Sequence, residues 1–464
     1  MKRREMLKAL GAMVGAAGAS KLLSACGTDS GGGDVGITTF VYLMMENRSY
    51  DHYLGARAFD GLPGDGLIPG TSNPNRAGGS EEIWVATEDS MCILDPPHGW
   101  SSSRTQFNGG ANDGFTLAYE DHHGSGARGA MQYMTRPQVP IHNALADEYT
   151  VCDRWFASVM GPTLPNRAYW HAGQSLGATS NDGVLDADWS STPTLYHRLD
   201  DAGVDWAYYY GDAPVIGILD GAPLGDGRLR RFNWDFFDDA AAGRLPPVVY
   251  IDPAFSSNDD HPPHHPLLGQ QLIAAVYNVL AQSPQWKNCM MVVTYDEHGG
   301  FYDHVAPPTA ADDRAAQGFD QLGFRVPSLV IGPYAKQRNV SSVVYDHTSA
   351  IKHLDNVFGL EPLTARTAGA NDLTDCIDME RLAAGEPAEP IILPAVEIDE
   401  SQLPERCRGN SISFGPPMDH DILIWAEETN KLGKYDLRKD VRDYTYSIGD
   451  YLERHNLGRI RRGK

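Results

Sequence analysis

Residues 37–48 read ITTFVYLMMENR and residues 290–300 read MMVVTYDEHGG. Each begins as an apolar run rich in β-branched and aromatic side chains, and each stops abruptly at hard polar residues. A run without polar alternation is the pattern of a strand covered on both faces, as in a parallel sheet between two helical layers. Further strands are expected at 150–156, 204–210, 247–251 and 324–331, and helices at 140–146, 195–199, 267–280 and 349–358. This alternation predicts an α/β fold of three layers, a largely parallel central sheet with helices on both faces. Such sheets place their sites just beyond the carboxyl ends of strands, which is where the polar clusters fall. Segments 61–80 and 256–266 read as loops, and 161–167, GPTLPNR, breaks regular structure and puts Thr163 where the chain turns. From about residue 365 the composition becomes irregular, with terminal helices expected at 422–428 and 441–455. That region reads as an appendage to a single domain spanning 37–464.

The 464 residues, 42% of them hydrophobic, suffice for a large core. Acidic residues outnumber basic ones 61 to 38, a formal charge of -23 that disfavours nucleic acid as a partner and attachment to anionic lipid. A phosphate-bearing substrate must then be drawn in by a local positive feature such as a metal. Arg3 and Arg4 precede a weakly apolar run at 9–19 and the box Leu23-Ser24-Ala25-Cys26. This resembles a twin-arginine export signal joined to a bacterial lipoprotein box. It implies a signal peptide at 1–25, lipidation of Cys26, and a membrane-anchored place in the bacterial cell envelope, periplasmic or at the surface. The apolar run is shorter than the roughly 20 residues a bilayer needs, and 26–36 reads as a flexible tether. Cys289 is expected in the core, whereas Cys376 and Cys407 lie where an exported protein could form a disulfide.

Glu46 and Asn47 end one apolar run, Asp296 and Glu297 the other. Three carboxylates and an amide oxygen suit one hard or borderline divalent cation, and without it their charges repel. Such a cation polarises a phosphoryl oxygen and helps ionise a hydroxyl. Thr163 is the candidate hydroxyl, since a free alkanol is protonated at neutral pH and needs that help. Asn166 and Arg167 are candidates for contacting the nonbridging oxygens of the transferring group. His98, His261, His304 and His347 fall in polar loops, where they could donate to phosphoryl oxygens or protonate a leaving alkoxide. Singly, each has a plainer reading as a solvated carboxylate, a turn threonine or a surface histidine, and spacing alone leaves both readings open.

Four segments, MENRSYDH at 45–52, GPTLPNR at 161–167, NDDHPP at 258–263 and TYDEHGGFYDHV at 294–305, resemble a known family. It is the bacterial phosphoesterase family of nonhemolytic phospholipases C and respiratory-burst-inhibiting acid phosphatases, and the resemblance runs from residue 37 to about 360. The resemblance implies an alkaline-phosphatase-like core in which Glu46, Asn47, Asp296 and Glu297 hold one metal of unspecified identity. Thr163 would be the nucleophile, where some relatives carry serine. His98 and His261 would contact the phosphoryl group, and one of His304 and His347 would reach the site. The implied reaction is in-line attack on a phospholipid or small phosphate ester through a phosphothreonine intermediate. The C-terminal portion has no obvious extra β-domain, which weakens a specific expectation of phosphatidylcholine. A broad acid phosphomonoesterase therefore stands beside a phospholipase C, and a non-catalytic lipid-binding surface lipoprotein beside both.

Overall fold

A computed structural model describes residues 36–225, 227–404, 407, 422–424 and 437–462. The leader with Cys26, the tether and most of the helix expected at 422–428 lie outside the described residues. Eight strands form the central sheet: β1 (Thr39–Met45), β2 (Thr150–Cys152), β3 (Trp206–Tyr210), β4 (Leu229–Arg231), β5 (Val248–Asp252), β6 (Cys289–Tyr295), β7 (Leu329–Ile331) and β8 (Asn339–Ser341). Their order is β8-β2-β7-β6-β1-β5-β3-β4. All neighbours are parallel except β7, which runs antiparallel to both β6 and β2. Every residue of β1 and β6 is buried, which is why their sequences lack polar alternation.

The helices that frame the sheet include α1 (Trp100–Phe107), α2 (Pro140–Glu148), α3 (Thr163–Ala172), α4 (Pro266–Gln282), α5 (Thr348–Phe358) and α6 (Leu437–Arg454). Leu145, Leu164, Leu272 and Ile351 from these helices join the strands in one core, together with Tyr444 and Leu452 of α6. Residues beyond 365 thus share the core of those before them. Among the described residues, no helix is long and apolar enough to cross a membrane.

Several local expectations change. After Cys152 the chain leaves the ladder, and Trp155 and Phe156 keep isolated bridges to Tyr345 and Arg325, so β2 is shorter than expected. Of the run 324–331, Leu329–Ile331 pairs as strand. Segment 161–167 is not irregular throughout: Thr163 opens α3, and Pro165 falls in its first turn, where a missing N–H breaks no helical bond. The disulfide joins Cys92 to Cys407, and Cys376 faces Cys152 instead, with their sulfurs 3.7 Å apart. The 315-residue separation of the bonded pair explains why chain position pointed to the wrong partner. Cys289 is buried in β6, as expected.

Candidate active site

β1 and β6 lie side by side with Met45 opposite Tyr295, so the residues that follow them emerge together. Backbone crossings lock the two ends. Asn47 N–H donates to Asp296 Oδ1 at 3.1 Å, Asp296 N–H to the Met45 carbonyl at 3.1 Å, and Arg48 N–H to the Glu297 carbonyl at 3.1 Å. Asn47 has φ +59°, a left-handed conformation that asparagine tolerates. Gly299, at φ +63°, passes so near that a Cβ there would lie 2.1 Å from the Asn47 carbonyl oxygen.

Glu46, Asn47, Asp296 and Glu297 are therefore gathered at one place, and all four are fully buried. Burial, reinforced by the charge of Glu46, pushes the Asp296 carboxyl up to about 7. Burial also lifts Glu297 well above the usual carboxylate range, against the pull of His98. Asn47 Oδ1 is buried with no hydrogen-bond partner among the described residues. Glu297 Oε1 makes no hydrogen bond among the described residues and lies 3.7 Å from His98 Nε2. Hard oxygen donors, surplus negative charge and an orphaned amide oxygen form a set that suits a divalent cation.

Thr163 is buried at the positive end of α3, and Arg167 lies one turn further along the same helix. Arg167 Nε is 3.3 Å from both Glu46 Oε1 and Asp296 Oδ2, and Nη1 is 3.1 Å from Asp252 Oδ1. Nη2 donates to the Met44 and Met45 carbonyls at 3.3 Å. The sequence set Arg167 against the nonbridging oxygens of the substrate, and in this structure its three nitrogens face these partners. Its buried guanidinium is the counter-ion of the carboxylates and ties α3 to the ends of β1, β5 and β6. Asn166 is also committed elsewhere: Oδ1 accepts from Val159 N–H at 3.0 Å, and Nδ2 donates to the Gly161 and Pro162 carbonyls at 2.9 and 3.2 Å. It staples the loop before α3, at the position where the sequence led us to expect a contact with the phosphoryl group.

His98 precedes α1. Its Nδ1 bonds the Pro96 carbonyl at 2.7 Å, leaving Nε2 facing Asn47 Nδ2 at 3.4 Å and Glu297 Oε1 at 3.7 Å. Burial disfavours its charge, but Asp95 and Glu297 outweigh that and raise it to about 9. His261 bonds the Pro262 carbonyl through Nδ1 at 2.6 Å, and its ring centroid is 5.8 Å from that of His98. Asp95, His98 and His261 each offer a ligand-type atom within 4.8 Å of the others. All three are partly exposed, and His98 reaches Asn47 and Glu297, so the three stand between solvent and the buried carboxylates, on the side we take as the mouth of the site.

The remaining two histidines separate. His347 donates from Nε2 to the Asp296 carbonyl at 2.6 Å and accepts from Trp155 Nε1 at 3.4 Å. Burial lowers it to about 4, so a neutral ring braces the Asp296 backbone. His304 gives both ring nitrogens to carboxylates, Asp51 at 2.7 Å and Asp65 at 3.0 Å. Arg325 completes that network with Asp51 at 3.0 Å and Asp303 at 2.8 Å, so His304, a catalytic candidate in the sequence, sits within a network of ion pairs.

Burial opposes charge on His304, yet its hydrogen bond to Asp51 and that residue's charge raise it to about 9. A histidine raised above its unfolded value of about 6.5 stabilises fully below that pH and loses the contribution as pH rises through the folded value. His304→Gln is accordingly expected to cost about 2–3 kcal/mol more at pH 6 than at pH 10, a difference read by urea unfolding at the two pH values. An equal cost at both would remove the electrostatic account of this network.

Asp252 and Asp95 were missed at the level of sequence. Asp252 ends the apolar strand β5 as Asp296 follows β6, and it accepts from Tyr208 Oη at 2.5 Å as well as from Arg167. Its signal, a carboxylate terminating an apolar run, is the one that marked Asp296.

Non-specific phospholipase C1 of Arabidopsis thaliana is 33% identical over 379 residues, covering 72% of this chain and 69% of that protein. Phospholipase C B of Mycobacterium tuberculosis is 32% identical over 424 residues, covering 76% of this chain and 80% of that protein. A solved structure of a protein in the alkaline phosphatase superfamily from Vibrio parahaemolyticus is similar at 13% identity and a TM-score of 0.35, covering 69% of this chain and 76% of that one. The Phosphoesterase family model matches residues 37–361, a span that holds every residue of the pocket and its mouth, and the chain belongs to that family.

Proposed function

We propose that this phosphoric ester hydrolase is a phospholipase C-type phosphodiesterase that works through Thr163. The observation that carries the reading is the linkage of α3, which Thr163 opens, to the buried carboxylates through Arg167. Two relatives that carry the name phospholipase C at over 30% identity support the diester preference. Glu46, Asn47, Asp296 and Glu297 would hold one divalent ion, which when bound supplies a Lewis acid for the phosphoryl oxygen. Thr163 Oγ1 attacks phosphorus in line, giving up its proton to solvent, as the bond to the alcohol breaks. His98, or His261 beside it, supplies the proton that the departing alkoxide takes. Water then cleaves the phosphothreonine ester and restores the hydroxyl.

The test sets p-nitrophenyl phosphate, p-nitrophenylphosphorylcholine and phosphatidylcholine vesicles side by side, with elemental analysis of the same preparation. The two diesters should turn over faster than the monoester, with about one divalent ion per chain. Turnover of the monoester alone would make the protein an acid phosphatase, and no turnover of any of the three would favour a lipid-binding lipoprotein. Export with lipidation at Cys26 belongs to the same proposal and is supported by the Cys92–Cys407 disulfide, which forms in oxidising compartments. Protein from the native cell should accordingly lack residues 1–25, a mass difference that intact-protein mass spectrometry reads directly.

A further inference from the structure

We propose that Leu94, with Val85 and Phe59 beyond it, forms a face that rests on a zwitterionic phospholipid bilayer and presents headgroups to the mouth of the pocket. The inference builds on the phospholipase C reading and names where that substrate sits. The carboxylates and Thr163 are buried, whereas Asp95, His98 and His261 are partly exposed, so a headgroup enters past those three. Leu94 is 61% exposed and immediately precedes Asp95.

Its segment is anchored rather than loose. Tyr119 donates to the Leu94 carbonyl at 3.5 Å, His123 bonds the Asp95 carbonyl at 2.8 Å, and Cys92 is fixed by its disulfide. A rigid backbone thus holds a large apolar side chain out into solvent at the entrance of a polar site. Tyr119 belongs to a small apolar cluster with Phe115 and Met131, against which Tyr133 packs. Val85 pairs with Tyr133 and is 42% exposed, and Phe59, 39% exposed, has its ring 5.5 Å from that of Tyr133. Side chains of this kind enter the boundary between headgroups and acyl chains when a protein lies on a membrane.

Charge selects the lipid. Cations around the same cluster are paired with acids, Arg128 with Glu81 and Arg76 with Asp121, each pair at 2.5 Å. With a net charge of -23 on the chain, an anionic surface would repel it, and a zwitterionic one such as phosphatidylcholine would not.

Leu94→Asp and Val85→Asp test the face, in full-length protein that also carries Cys26→Ser so that a lipidated N-terminus cannot supply the contact. The control is Ile392→Asp. Ile392 is 92% exposed, and its neighbour Ile391 donates its N–H to Tyr277 Oη at 2.7 Å. That region, with Trp286 donating to the Ala388 carbonyl, adjoins the start of β6 at the end of the sheet away from the pocket. Flotation with phosphatidylcholine vesicles and hydrolysis of those vesicles should both fall roughly tenfold or more in the two face variants, with hydrolysis of soluble p-nitrophenylphosphorylcholine within about twofold of the parent and the control unchanged. Undiminished vesicle binding in Leu94→Asp and Val85→Asp would overturn the proposal, as would tighter binding of the parent to phosphatidylserine than to phosphatidylcholine. Flotation decides this without catalysis, so a parent that floats but hydrolyses no diester would refute the phospholipase C reading alone.

Discussion

Thr163→Ala is expected to lower turnover of p-nitrophenylphosphorylcholine by at least about 10³-fold while KM changes little, because the substitution removes the attacking oxygen and leaves the pocket intact. Thr163 is 3% exposed, and its helix is held from both sides of the site. Asn166 staples the loop before α3, and Arg167 binds the carboxylates one turn later. The remaining frame does not depend on the threonine hydroxyl, so folding should survive. Thr163→Ser keeps a hydroxyl at the same atom and should stay within about tenfold of the parent, since serine performs the same nucleophilic step. Steady-state kinetics on the three proteins check this, and near-normal hydrolysis by Thr163→Ala would eliminate the nucleophile.

Arg167→Ala is expected to destabilise the fold by about 3–5 kcal/mol, the usual cost of leaving buried charges without their partner. Glu46, Asp296 and Asp252 would all lose the guanidinium between them. Burial already raises Asp252 to about 6 and Asp296 to about 7 with that guanidinium present. Acids raised above their unfolded values favour the fold when protonated and penalise it as pH rises through the folded values. The defect should therefore be larger at pH 8 than at pH 5, and millimolar divalent cation should recover part of it at pH 8 by supplying the missing positive charge. Urea unfolding at both pH values, with and without the ion, measures all three effects. A loss under about 1 kcal/mol at pH 8 would mean that the carboxylates do not rely on Arg167.

The same contrast explains what could be read in advance. β1 and β6 were legible because burial on both faces leaves an unbroken apolar run, and their following acids were legible because nothing apolar could replace them. The carboxylate partners of Arg167 were not legible, because a guanidinium has the same local context whether it meets a phosphate or three carboxylates. His304 and His347 stand beside similar polar neighbours in sequence, yet one bonds Asp51 and Asp65 and the other bonds the Asp296 backbone. The direction of β7 was hidden because its apolar residues satisfy either ladder, and its pairing with β2 and β6 depends on residues far away in the chain.

The amino-acid sequence by itself determined the α/β class and the two strand ends that carry Glu46, Asn47, Asp296 and Glu297, since periodicity and the cost of burying polar groups act over a few neighbouring residues. Tertiary structure alone decided which cation stands among those carboxylates, which histidines line the mouth, and which cysteine pairs with Cys92. Those outcomes rest on contacts between residues dozens to hundreds of positions apart, and a side chain's local sequence holds no record of the partner that folding brings to it.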